Sequence, residues 1–304
     1  MIKNNAVVLG FIYPGVENYL DDYFSSLSQQ STKCFDIYIY NDGFDNNLLE
    51  HFITRYKDLN IRVIRIENKL TPAEIREIAI TDHADKYNYM IFSDTDDYFS
   101  TNRVEQSINA LQNFDFCYND IYLVDNFGVN YTQNSYFRNK EHPNMITQYE
   151  PLLDKNFCGL SNTAINLKTV NLKSLKIPPE LIAVDWWIFS ILTINDYCGC
   201  FLSDAFTYYR QHDLNTVGGL NYLNEKQLLR GIKIKKDHYK LLLRYCSSKY
   251  NYMIQEEYGN IEQLDEIISG NNTILKNYLF NVNKEDKEYL WWENIKLNRR
   301  WLLE

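Results

Sequence analysis

Glycine and proline are scarce in this 304-residue chain, at 11 and six residues, which excludes collagen-like, low-complexity and linker-rich classes. Basic runs are missing too, the densest being Lys233-Ile234-Lys235-Lys236. Forty acidic against 31 basic side chains leave a net charge of -9, which repels nucleic-acid phosphates, so no nucleic-acid partner is expected. The six cysteines include no Cys-x-x-Cys pair and no histidine at zinc spacing; they read as buried thiols of a reducing compartment. No apolar run is long enough for a membrane span: the longest, Leu181 to Ile194, carries Asp185 and reads as a core helix. The first apolar stretch, Ala6 to Ile12, has no small-residue cleavage site and reads as a core strand rather than a signal peptide. A cytoplasmic location is the consequence, in which the sequons at Asn130 and Asn271 receive no glycan.

What is present is 45% hydrophobic and 23% charged, enough for a sizeable core without disulfides. Short β-rich runs at Val7-Ile12, Phe35-Tyr40, Ile61-Ile66 and Asn88-Ser93 alternate with helix-period segments near 17–29, 47–56 and 72–86. That is the pattern of an α/β fold with a mostly parallel sheet flanked by helices. Thr71-Pro72-Ala73-Glu74 has the form of a capping box with proline at the first helical position. A helix over 101–112 is expected next, then a strand over 114–124 that turns at Asp125-Asn126-Phe127-Gly128 into a second strand. Further on come a strand near 161–167, a helix over 183–195 and a short strand over 199–202. Beyond Tyr222 the chain reads as helices, with turns at Gly259-Asn260 and Gly270-Asn271. The division is 1–220 for an α/β domain and 221–304 for a helical C-terminal region.

In such a sheet, ligands bind beyond the carboxyl ends of the strands, and two acidic clusters fall there. Asn41-Asp42-Gly43 follows the second strand. A fixed Asp42 carboxylate accepts the imide N–H of uracil or thymine; an Asx turn before Gly43 is the equally good alternative. Asp94-Thr95-Asp96-Asp97 follows the fourth strand. Three carboxylates within four residues raise one another's pKa unless a cation compensates, and Mg²⁺ or Mn²⁺ bridging to a diphosphate is the natural compensation. Helix capping by Asp97 or Ser100 is the structural alternative.

Asp185 interrupts an apolar segment beside Trp186 and Trp187; desolvation there raises its pKa toward that of a general base. A structural hydrogen bond at a helix start would explain it equally simply. Trp186 is a candidate to stack on a sugar face, although helical tryptophans are more often core. Arg210-Gln211-His212, after a short strand, has the means to bring a guanidinium and an imidazole to a diphosphate or metal.

Together these segments resemble family 2 glycosyltransferases of the GT-A fold. The carriers are Asn41-Asp42-Gly43, Asp94-Thr95-Asp96 with Asp97, Val184-Asp185-Trp186-Trp187, and Tyr209-Arg210-Gln211-His212 with Asn215 and Val217-Gly218. The last two segments are similar to those of bacterial rhamnosyltransferase-like members that build O-antigen and capsule chains. The resemblance implies a UDP- or TDP-sugar donor and a saccharide or lipid-linked saccharide acceptor. By it, Phe11 and Tyr13 at the end of the first strand, together with Asp42, meet the base, Asp94 and Thr95 lie on the ribose side, and Asp96 with His212 meets a divalent cation. Arg210 faces the diphosphate, and Asp185 deprotonates the acceptor. The first strand ends in Gly10-Phe11-Ile12-Tyr13-Pro14 rather than the family's Pro-Thr-Tyr-Asn type, and Val184 stands where Glu is common. A scaffold protein that keeps the fold and binds nucleotide without turnover is the alternative. The C-terminal stretch Tyr289 to Trp301 mixes aromatics with cations, as does a helix at the inner face of a membrane; packing on the core or on a second subunit of a homo-oligomer is the other reading.

Overall fold

The computed structural model describes residues 5–130, 133–138, 140–212, 223–246, 248–285 and 292–302. The first half alternates as its periodicity requires: β1 (Ala6–Ile12), α1 (Leu20–Ser28), β2 (Phe35–Asn41), α2 (Asn46–Arg55), β3 (Ile61–Arg65), α3 (Pro72–His83) and β4 (Tyr89–Asp94). These four strands pair in parallel in the order β3-β2-β1-β4. Every residue of β1 is buried because helices cover both faces of the sheet. Val7, Leu9 and Phe11 face one apolar layer with α3, while Ala6, Val8 and Ile12 face the other with α1 and α2. Gly10 lets α1 approach: a Cβ there would lie 2.5 Å from the Tyr23 hydroxyl and 2.7 Å from Ile39. The capping box opens α3, with Thr71 Oγ1 accepting from Glu74 N–H at 3.3 Å and Glu74 Oε2 accepting from Thr71 N–H at 2.7 Å. Such caps contribute about 0.5–2 kcal/mol and fix where a helix begins.

After β4 the chain makes β5 (Tyr98–Phe99), α4 (Arg103–Ala110), β6 (Phe116–Val124), β7 (Met145–Ile146), β8 (Thr163–Asn166), α5 (Val184–Ile194) and β9 (Gly199–Arg210). Here pairing is mixed: β8 is antiparallel to β4 and β6, while β9 is parallel to β6 and antiparallel to β5 and β7. Among the described residues the nine strands form one sheet flanked by helices. Two expectations fail locally. Among the described residues, the turn at 125–128 leads to a single bridge, Val124 to Asn130, and to no second strand. The short strand over 199–202 is 12 residues long, because β9 continues past a register shift at Asn119/Asp120 and stays paired with β6 to Arg210.

The C-terminal part holds α6 (Glu225–Tyr245), α7 (Asn251–Gly270) and α8 (Asn272–Glu285). Helix α7 runs straight through the expected turn at Gly259-Asn260, while Gly270-Asn271 does separate two helices. The boundary near residue 220 lies outside the described residues, as do Asn215, Val217 and Gly218. The stretch over 289–301 is not an exposed helix where it is described. Trp292 begins a short 3-10 turn, and Trp292, Ile295 and Trp301 are buried, the two indoles lying against Trp186 and Tyr278. The aromatics meant for a membrane are therefore core residues; Tyr289 to Trp291 lie outside the described residues. No described helix is long and apolar enough to cross a membrane. All six cysteines are free; three are buried, and Cys34 is exposed.

Candidate active site

A cleft of about 640 Å³ opens where β1, β2 and β4 end, with Phe11, Tyr13, Asp42, Asp94, Asp96 and Asp185 on its walls. That volume lies in the range of sites that enclose a small ligand. At the end of β1 the Phe11 ring stacks on Tyr40, centroids 5.9 Å apart, and the Arg76 guanidinium lies over it at 4.7 Å. After β2, Asn41 builds the turn: its Oδ1 accepts from Phe44 N–H at 2.7 Å and its Nδ2 donates to Asn46 at 3.1 Å. Gly43 takes the left-handed φ of 82° that the turn needs. With Asp45 capping α2, none of these hydrogen bonds uses the carboxylate of Asp42, which is exposed on the cleft wall. The Asx-type bonds thus belong to Asn41.

The acidic loop divides its four residues between inside and outside. Asp94 opens to the cleft beside Arg76, 3.8 Å away, and burial pushes its pKa up to about 6 against the pull of that guanidinium. Thr95 turns inward, where its buried hydroxyl donates to Phe11 O at 2.8 Å, so its side chain ties the loop to the end of β1 and does not line the cleft. Asp96 Oδ2 accepts from the Tyr13 hydroxyl at 3.1 Å and meets His212 Nε2 at 2.9 Å. Asp97 is buried, its Oδ1 accepting from Arg210 N–H at 2.8 Å; desolvation, then Asp96 and Asp94, hold its pKa well above the carboxylate range. It therefore caps no helix.

Arg210 does not face the cleft. Its side chain is 1% exposed, with Nε donating to Asp96 O at 2.9 Å, Nη1 to the carbonyls of Asp125 and Asn126 at 3.2 and 3.0 Å, and Nη2 to Asp22 at 2.6 Å. A guanidinium with its donors so engaged holds the acidic loop, the 125–128 turn and α1 together. The expected direct contact with a diphosphate is replaced by this internal one.

Asp185 lies in the first turn of α5, not in its middle. Its Oδ1 accepts from Trp186 N–H at 2.8 Å and its Oδ2 from Asn156 Nδ2 at 3.0 Å. Burial raises its pKa, and those two hydrogen bonds oppose the rise. The indoles do not flank the carboxylate as the sequence suggested. Trp186 is fully buried, its ring parallel to His238 at 3.6 Å and its Nε1 donating to Leu152 O at 2.7 Å, so a sugar cannot reach its face.

Three lining residues escaped sequence reasoning. Arg76 lies two positions beyond the capping-box Glu74, a spacing that could have flagged it. Arg230 on α6 and Trp292 also line the cleft; nothing in the neighbourhood of Arg230 sets it apart, and the aromatic stretch around Trp292 pointed to a membrane or a core rather than to the site.

The model of the family described as glycosyl transferase family 2 matches residues 12–169, more than half of the chain. The chain belongs to glycosyl transferase family 2. Asp42, Asp94 and Asp96 fall within the matched span, while Asp185, Arg210 and His212 fall beyond it. Staphylococcus aureus TarS, residues 1–349 in complex with UDP, superposes with a TM-score of 0.59 at 17% identity over 84% of this chain and 70% of that one. The mannosyltransferase PcManGT from Pyrobaculum calidifontis, in complex with GDP-Man and Mn²⁺, gives 0.57 at 10% identity over 84% and 69%. At these identities the likeness is one of fold, and the fold is the GT-A fold. No curated protein sequence matches the chain.

Proposed function

We propose that this glycosyltransferase moves a sugar from a UDP- or TDP-sugar to a hydroxyl of a saccharide acceptor, with inversion, in bacterial surface polysaccharide synthesis. The carrying observation is the convergence of Asp42, Asp94, Asp96 and Asp185 from three separate segments, the loop after β2, the loop after β4 and the start of α5, on one cleft. In this reading Phe11, with Arg76 packed over its ring, forms the wall beside the base, Asp42 accepts the base's imide N–H, and Asp94 takes the ribose. Asp96 and His212 would be the residues that hold a divalent cation, since a carboxylate oxygen and an imidazole nitrogen suit Mn²⁺ or Mg²⁺ and the two lie side by side. No cluster of three His, Cys, Asp or Glu ligands exists among the described residues, so a cation held there would draw its further ligands from the donor and water. Mn²⁺ or Mg²⁺ bound there would neutralise the departing diphosphate; the PcManGT complex contains Mn²⁺.

Asp185 removes the acceptor proton. As it does, the acceptor oxygen forms a bond to C1, and the C1–O bond to the β-phosphate breaks, its electron pair leaving with the nucleoside diphosphate. One base and one in-line displacement invert the anomeric centre. Because the carboxylate must be ionised, the rate falls on the acid side of its raised pKa. Residues 1–220 supply the donor half and most of the chemistry in this reading, and the helices beyond supply Arg230 to the outer wall.

The test pairs a panel of UDP-, TDP- and GDP-sugars, with Mn²⁺ or EDTA, with turnover of Asp185→Asn. Donor affinity is expected to hold while turnover falls by roughly 10²–10⁴. A near wild-type rate in Asp185→Asn would reject the base assignment, and donor binding without any transfer by wild type would favour a scaffold.

A further inference from the structure

Asp185 is held by a residue that is itself held from the far end of the chain. Asn156 is completely buried. Its Nδ2 donates to Asp185 Oδ2 at 3.0 Å, its Oδ1 accepts from Cys158 N–H at 3.3 Å, and its own N–H donates to Glu293 Oε1 at 3.2 Å. Glu293 belongs to the 3-10 turn Trp292–Asn294, and α6 grips the chain at the end of that turn: the Lys235 ammonium, also fully buried, donates to Ile295 O at 2.8 Å. Gly231 lets the two approach, since a Cβ there would lie 2.2 Å from Ile295 Cδ1. Burying a lysine and a glutamate costs several kcal/mol for each ion, and the hydrogen bonds each makes here go to main-chain groups. An apolar pair would pack as well; what it would not do is hold the N–H of Asn156.

We propose that Asn156, fixed by Glu293, is the positioning residue of Asp185, so that the C-terminal turn sets the orientation of the carboxylate that takes the acceptor proton. The inference rests on the assignment of Asp185 as the base. Trp186 N–H occupies one carboxylate oxygen from within the helix, and Asn156 occupies the other from outside, which leaves a single orientation for the remaining lone pairs. The charged and titratable groups around Asp185 are Arg76 from α3, Asp94 from the end of β4 and Cys158 from the loop carrying Asn156, with Arg230 of α6 on the same cleft wall. Glu293 and Lys235 stand behind Asn156.

The experiment compares wild type with Asn156→Ala, Glu293→Ala and Glu293→Gln. Turnover should fall by about 10- to 100-fold in both alanine variants, the scale of a misplaced catalytic group, with donor affinity unchanged. The acid limb of the pH profile should move to higher pH in Asn156→Ala, because a hydrogen bond to the charged form is lost. Glu293→Gln keeps an accepting oxygen and should restore most of the rate that Glu293→Ala loses. Titration of the Asp185 carboxyl by ¹³C NMR, identified by its absence in Asp185→Asn, gives the same comparison without turnover. An unmoved Asp185 titration in Asn156→Ala, or equal losses in Glu293→Ala and Glu293→Gln, overturns the positioning role. Undiminished turnover in Asp185→Asn instead overturns the assignment beneath it.

Discussion

Asp42 and Asp96 are opposite cases of how a carboxylate stands at the cleft. The first is exposed beside a turn that Asn41 has already satisfied, so replacing it leaves the loop intact. Asp42→Ala is expected to lose roughly 1.5–3 kcal/mol of UDP or TDP affinity, as for a hydrogen bond to a charged group, with CDP little affected; calorimetry with the three nucleotides checks this, and an equal loss for CDP would indicate a collapsed loop. Asp96 is paired with His212 and Tyr13, and Asp96→Asn offers a neutral amide to a hard cation. UDP affinity in Mn²⁺ should drop toward the value in EDTA, while the EDTA value stays put. Identical affinities in mutant and wild type would remove Asp96 from metal binding. At this scale the sequence was informative about residue type and poor about direction. An acid next to two tryptophans was visible; that the acid faces the cleft and Trp186 faces His238 depends on α5 beginning at Val184, one residue before it.

Among elements, the capping box fixed the start of α3, and β1, β2 and β4 were legible because strands buried on both faces leave a continuous apolar signature, while β3, at the edge of the sheet, mixes partly buried and exposed positions. Strand β9 was legible only over its first residues. Its later part alternates exposed and buried positions from Asp204 on, and its pairing with β6 beyond the register shift is tertiary information. This is why Arg210 read as a loop residue next to a diphosphate. As the last residue of a strand it points back into the fold and ties three segments. Arg210→Ala should therefore destabilise the protein by about 3–5 kcal/mol, the scale for breaking a buried charged network. Asp22→Ala, at the half-exposed end of the same pair, should cost no more than about 1 kcal/mol. Urea unfolding of both variants tests the difference, and similar midpoints for the two would mean that the carbonyl contacts of Arg210 carry no weight.

Across the whole molecule, the donor half was readable because its parts recur locally: strand, turn, acid, helix. The wall opposite was not. Arg230, Asn156 and Glu293 are undistinguished in sequence, and they meet Asp185 or its cleft only through packing between α6, the turn at Trp292 and the loop at Asn156. The aromatic C-terminal stretch left two readings open for a related reason, since a mixture of tryptophan and cations serves a bilayer and a core equally well, and burial of Trp292 and Trp301 favours the core for the described part.

The parallel pairing of Phe116 with Gly199, carried on to Val124 with Arg210, bears on how the protein comes into being. A chain emerging from the ribosome has β1 to β4 and both acidic clusters long before it has β9, yet one oxygen of Asp97 and the carbonyl of Asp96 accept from Arg210 at the end of that strand. Until it docks, a loop of crowded carboxylates lacks these two hydrogen bonds and the cation beside them, and closing so long a stretch of chain is slow. Synthesis thus delivers the loops of the cleft unfinished, and the acidic loop reaches its final form only after Arg210 has been made and β9 has paired with β6.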